Sequence, residues 1–216
     1  MGARLDAGAS LSGYQRNRFF LNVEGRDFID VSGLSAADSP ADGRAFATLD
    51  FDRDGRIDLA VVNANEPLCE LFANRSKAGH ILALRFVGGN DRDEVSREWS
   101  VRDGYGVQVE VDVGGRTLLR EHRAGEGFSA QNSATLLVGL GAHQRADAVR
   151  VRWPSGRTQR ATDVAVGSLL TVYENPRHSP TGGTFAIAPY YASAAGLPDS
   201  SRPQPTARRQ IPNAGR

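Results

Sequence analysis

Nine consecutive residues constrain this chain more than any others: Asp50-Phe51-Asp52-Arg53-Asp54-Gly55-Arg56-Ile57-Asp58. Aspartate holds loop positions 1, 3, 5 and 9, and glycine holds position 6. A loop curling around one point turns every second side chain inward, so these carboxylates converge. Four carboxylates that close repel one another. A divalent cation relieves the repulsion, which couples ion binding to local folding. Calcium takes six to eight oxygen ligands at roughly 2.3–2.6 Å, whereas magnesium demands tight octahedral geometry and keeps several waters. Gly55 permits the sharp turn, and the backbone carbonyl of Arg56 at position 7 can add a ligand. The expected site is therefore Asp50, Asp52, Asp54, Arg56 through its carbonyl, and Asp58, with Ca²⁺ as the cofactor. The competing reading is a hairpin loop whose aspartates only make Asx-turns to their own backbone.

The loop is not an EF-hand, because Val61 stands at position 12 where that motif needs a bidentate glutamate. Its flanks read as strands. Ala45-Phe46-Ala47-Thr48-Leu49 precedes it, and the β-branched run Leu59-Ala60-Val61-Val62-Asn63 follows. The same strand signature dominates the rest of the chain: short apolar runs bounded by Gly, Asp, Asn and Pro. It predicts strands at 18–23, 27–31, 45–49, 57–63, 68–73, 80–87, 105–113, 116–124, 135–139, 148–153, 158–162 and 168–173. Gly114-Gly115 predicts a tight hairpin, since both residues accept positive φ. Trp153-Pro154-Ser155-Gly156-Arg157 predicts a second turn. R-F-F-L-N ending at Asn22 and E-L-F-A-N ending at Asn74 form a weak repeat with propeller-blade spacing.

The expected fold is all-β, with partial propeller-type blades around a calcium loop followed by a β-sandwich-like module. Three segments follow from this: a repeat region at 1–79, a second β unit at 80–175, and a Pro/Ser/Arg-rich tail at 176–216, expected to be disordered at its end. Phe185, Ile187, Tyr190 and Tyr191 are expected to dock before that end. The charged segment 89–103 reads as a linker or long loop. A net charge of +1 gives no bulk attraction to nucleic acid or anionic membranes. No apolar stretch approaches membrane-helix length, so no membrane insertion is expected. The single cysteine, Cys69, excludes an intrachain disulfide.

Other constellations carry weaker chemistry. Gln131, Asn132 and Ser133 read as a turn satisfying backbone groups, with a polar binding cluster as the alternative. Trp153 reads as a core plug, with sugar stacking as the alternative. His80, His122, His143 and His178 are scattered without paired metal spacing. Glu121 and Glu126 flank His122 and Arg123, and strand alternation explains their polarity. Asn74-Arg75-Ser76 matches a glycosylation acceptor. The arginines at 116, 120, 123, 150, 152, 157 and 160 read as solvated edge protection, with an anionic glycan face as the alternative. No catalytic constellation is visible, and no enzyme activity is expected.

The stretch A-F-A-T-L-D-F-D-R-D-G-R-I-D-L-A-V-V-N at 45–63 resembles the FG-GAP/VCBS repeat of integrin-type β-propellers. That resemblance implies calcium ligand roles for Asp50, Asp52, Asp54, Arg56 (backbone) and Asp58. Farther on stand G-Y-G-V-Q-V-E-V-D-V-G-G-R-T, then S-A-Q-N-S before G-L-G, then W-P-S-G-R. This order is similar to the ASPIC/UnbV domain, which follows FG-GAP repeats in cartilage acidic protein-like proteins. Members usually carry several repeats, so the likeness implies a C-terminal fragment or a minimal member. It implies an extracellular, periplasmic or cell-surface binding or adhesion-type protein with a protein or carbohydrate ligand. The alternatives are an accessory or catalytic protein of a biosynthetic pathway, and a structural cap on a longer propeller.

Overall fold

A computed structural model describes residues 14–77 and 79–191. The described residues are all-β, in four sheets that form no closed barrel. In chain order the elements are β1 (Phe20–Val23), β2 (Asp27–Asp30), a single helical turn α1 (Ser32–Ser35), β3 (Gly43–Leu49), β4 (Asp58–Asn63) and β5 (Cys69–Phe72). Then follow β6 (His80–Val87), β7 (Val107–Val113), β8 (Arg116–His122), β9 (Leu136–Gly141), β10 (Arg145–Arg152), β11 (Thr158–Ala165), β12 (Ser168–Tyr173) and β13 (Phe185–Pro189). The end of the predicted tail, expected to be disordered, lies outside the described residues.

The second unit is built from two four-stranded sheets. One runs β11-β10-β7-β8 and the other β13-β12-β6-β9. Val107, Val109, Val111 and Val113 alternate inward along β7, as a half-buried strand requires. They meet Leu82, Leu84 and Phe86 of β6 and Leu170 and Val172 of β12 in one core shared by both sheets. That is sandwich packing. Strand β6 pairs parallel with β12 and antiparallel with β9, so it sits inside its sheet and is almost continuously apolar. The Gly114-Gly115 hairpin joins β7 to β8 with both glycines at positive φ, at +54° and +77°. Strand β13 pairs along β12 from Ser168↔Pro189 to Val172↔Phe185. The sandwich therefore reaches past residue 175, because β12 offers an open edge that these five residues fill.

Trp153 is a core side chain at 2% exposure, edge-on to Phe86 at 6.2 Å between centroids. Its indole N–H donates to Gln159 Oε1 at 2.9 Å, and Gln159 donates on to the Tyr173 carbonyl at 2.8 Å. No ring face is left for a sugar. We expect Trp153→Phe to cost about 1–2 kcal/mol in denaturant unfolding, from a lost hydrogen bond and a small void.

The segment 89–103 does not separate the units. It joins β6 to β7 within the sandwich and is anchored there by Glu174, which is 3% exposed. Glu174 Oε2 accepts from Gly89 N and Ser100 N, each at 2.8 Å. Its Oε1 accepts from Ser100 Oγ at 2.9 Å and also from Ser155 Oγ. Charge density in the sequence disguised this anchoring, because the tie is made by a residue 85 positions away.

The first unit is a three-stranded antiparallel sheet, β3-β4-β5, with the β1–β2 hairpin beside it. Register places Phe46, Val61 and Glu70 on one row and Ala45, Val62 and Cys69 on the next, so both faces carry apolar side chains. Phe46 is 58% exposed on one face and Val62 53% on the other.

Candidate metal centre

Strand β3 ends at Leu49 and β4 begins at Asp58, so the aspartate loop is a β-hairpin connection. Arg53 and Gly55 both take positive φ, at +55° and +85°, which closes the curl. The loop wraps its own amides onto its carboxylates. Asp50 Oδ1 accepts from Asp54 N at 3.0 Å, and Asp50 Oδ2 from Gly55 N at 2.9 Å. Asp58, 1% exposed, accepts from Phe51 N at 3.1 Å and from Asn74 N at 2.7 Å. Asn74 also donates from Nδ2 to the Ile57 carbonyl at 3.1 Å. The asparagine of the Asn-Arg-Ser triplet thus braces the loop.

Carboxylate oxygens of Asp50, Asp52 and Asp58 lie within 4.8 Å of one another. Two oxygens on opposite sides of one calcium ion stand roughly 4.8 Å apart, so the three fit around a single ion. Asp54 is held differently. Its Oδ1 accepts from Arg56 N at 2.9 Å, its Oδ2 meets the Arg56 guanidinium, and Arg75 stands 3.9 Å away. Arg56 contributes that N–H and guanidinium to the loop. Asx-turn bonding and carboxylate convergence are therefore both present.

Asp52 is the tense member. Its Oδ2 is 3.6 Å from the Arg75 guanidinium, while its Oδ1 is buried without a hydrogen-bond partner. Burial raises its pKa, and the negative charges of Asp54, Asp58 and Asp50 raise it further against the opposing pull of Arg75. A buried, unpartnered anionic oxygen beside two other carboxylates is what a divalent cation would satisfy. The donor set is all oxygen, which suits a hard cation.

The loop abuts the sandwich. Tyr190, 5% exposed, donates its hydroxyl to Asp50 Oδ2 at 2.9 Å. A Cβ on Gly55 would stand 2.8 Å from Tyr191 Cε1 and 3.2 Å from Ile81 Cγ1. Thr48 N donates to Asn132 Oδ1 at 2.8 Å, and Ser133 N donates to the Thr48 carbonyl at 2.9 Å. Gln131 accepts from Gly125 N at 2.7 Å. The Gln131-Asn132-Ser133 triplet therefore satisfies backbone groups, as a turn should, but two of its members do so across the junction. A cavity of about 110 Å³ remains there, lined by Asp50, Ile57, His122, Glu126, Asn132 and Tyr190.

His122 is a structural residue of this junction. It stacks on Tyr105 at 5.0 Å and its Nε2 lies 3.1 Å from the Asp103 carbonyl. Burial pushes its pKa down, against a smaller upward pull from the Asp103 hydrogen bond. The unfolded chain therefore takes up a proton first as pH falls. The stability from this group is complete above pH ~6.5 and is lost below it, towards the depressed folded value. Unfolding midpoints should fall as pH drops below about 6.5, and His122→Gln should flatten that limb.

Of the seven arginines read as edge protection, Arg123, Arg150 and Arg157 are paired with carboxylates. Arg150 pairs with Glu110 at 2.7 Å and with Asp112 at 2.9 Å, and Arg123 lies between Glu121 and Glu126 at 3.6 and 3.4 Å. Among the described residues, the aspartate trio is the one group of three or more His, Cys, Asp and Glu placed to share an ion.

The strands bearing the Q-N-S triplet, the Trp153 turn and the glycine hairpin form one folded unit. Residues 98–179 match the ASPIC and UnbV family model. The ASPIC/UnbV domain so defined supplies β7 to β12. The sandwich is completed by β6 before the matched stretch and β13 after it. Asn132 and Ser133 belong to the domain, whereas Tyr190 and the aspartate loop lie outside it. No curated protein matches the chain. No helix among the described residues is long and apolar enough to cross a membrane.

Proposed function

We propose that this is a calcium-binding, non-catalytic protein of binding or adhesion type, in which an FG-GAP/VCBS-like calcium hairpin abuts an ASPIC/UnbV domain. The carrying observation is the buried, unpartnered Asp52 Oδ1 beside the carboxylates of Asp50 and Asp58. Asp50, Asp52 and Asp58 would hold the ion directly, and Asp54 would shape the loop through Arg56. Bound calcium would supply positive charge that stiffens the turn. Its partner would be a protein or carbohydrate ligand rather than nucleic acid. A three-carboxylate site of this kind is expected to bind on the order of 10⁻⁴–10⁻³ M. The family resemblance implies an extracellular, periplasmic or cell-surface setting, where millimolar calcium would load such a site.

Isothermal titration of the full chain with Ca²⁺ tests this reading. Single-site binding in that range supports it, and no binding at millimolar Ca²⁺ overturns it. Asp54→Ala should weaken binding less than Asp52→Ala, because Asp54 is engaged by Arg56 and stands outside the converging trio.

A further inference from the structure

We propose that the aspartate loop is a calcium-dependent fastener between the two β units, with Asn132 and Ser133 as one latch and Tyr190 and Tyr191 as the other. This rests on the calcium reading and goes beyond it, since ion binding alone does not require the sandwich. Both latches act within a few residues of the ligands. Thr48, two positions before Asp50, has its N–H and its carbonyl taken by Asn132 and Ser133. These bonds extend the outer side of β3, which is an edge strand. At the other latch, Tyr190 places its hydroxyl on Asp50 Oδ2, which also receives Gly55 N. Tyr190 N is tied to the Gly167 carbonyl at 2.8 Å, and the Tyr191 ring covers both Gly55 and Gly167.

Asp50 is thus a ligand candidate and a latch acceptor at once. A carboxylate offers about four acceptor positions. Asp50 uses three on Asp54 N, Gly55 N and Tyr190 Oη, which leaves one for a cation. Without positive charge, repulsion from Asp52 and Asp58 weakens the hold on Asp50, and with it the docking of Tyr190. With a cation in place, Asp50 is pinned where Tyr190 and β3 can both dock. Binding and docking are then one linked equilibrium, so each must strengthen the other by the same factor.

The test is hydrogen–deuterium exchange on the full chain, in chelator and in 10 mM Ca²⁺, paired with calcium calorimetry of wild type, Tyr190→Phe and Asn132→Ala. Tyr190→Phe removes a single oxygen and keeps the ring. The expected result is slower exchange in Ca²⁺ at the loop amides and also at Thr48, Ser133 and Tyr190, with calcium affinity about fivefold weaker in each variant. If Ca²⁺ slows the loop amides alone and both variants bind it like wild type, the fastener is overturned while the calcium site stands. If Ca²⁺ gives no binding heat and slows nothing, both fall together. Should a variant fail to fold, the wild-type exchange pattern still decides.

Discussion

Asp52→Ala is expected to shift stability in opposite directions with and without calcium. In chelator the variant should melt a few degrees above wild type. The buried Asp52 Oδ1 has no partner, and a buried unsatisfied polar atom costs about 1–3 kcal/mol. The ion pair with Arg75 that the substitution removes is long, and Arg75 is largely exposed, so its loss offsets less than about 1 kcal/mol. The net gain is about 1 kcal/mol, or roughly 2–4 °C for a chain of this size. Adding Ca²⁺ should reverse the order. Wild type at 10 mM Ca²⁺, with a dissociation constant near 0.5 mM, gains about 1.8 kcal/mol by mass action. The variant, missing a ligand, should gain almost nothing. Differential scanning calorimetry of both proteins in both conditions reads the crossover. If Asp52→Ala is destabilised equally with chelator and with calcium, Asp52 is a packing residue and not a ligand.

Glu174→Ala should be the most damaging single change in the sandwich. Four donors converge on this carboxylate: Gly89 N, Ser100 N, Ser100 Oγ and Ser155 Oγ. The two serine hydroxyls can rotate to other partners. The two buried amides cannot, and leaving them unpaired costs about 1–3 kcal/mol each. Loss of about 3–5 kcal/mol is expected, with the 89–103 connection released from the body. Glu174→Gln should be milder, at about 1 kcal/mol. Its oxygen can face the two amides while its NH₂ donates to the hydroxyls. Denaturant midpoints, together with protease cleavage confined to 89–103, read both effects. If Ala and Gln cost the same small amount, the carboxylate is not the anchor.

Much of the β architecture was legible because strand alternation is local. β6 and β12 fall where their apolar runs predict, and the hairpin at Gly114-Gly115 follows from its need for positive φ. The aspartate spacing pointed to the loop in the same way, since every second side chain of a curl turns inward. Pairing partners were not legible. Docking of Phe185, Ile187 and Tyr190 was expected from their apolar character, but nothing local tells β6 to lie parallel to β12, or residues 185–189 to pair along β12. The junction was hidden for the same reason. Thr48 and Asn132 are 84 positions apart, and Asp50 and Tyr190 are 140 apart. Gly55 shows both sides of this: its turn role is readable from the motif, while its closeness to Tyr191 is readable only from the fold.

The most direct measurement is the melting temperature of the purified full chain in EDTA and in 10 mM Ca²⁺ at the same ionic strength. A rise of about 4–7 °C with calcium is predicted, from the mass-action stabilisation and the usual conversion for this chain length. Identical melting in the two buffers would contradict the proposal that Asp50, Asp52 and Asp58 share a cation.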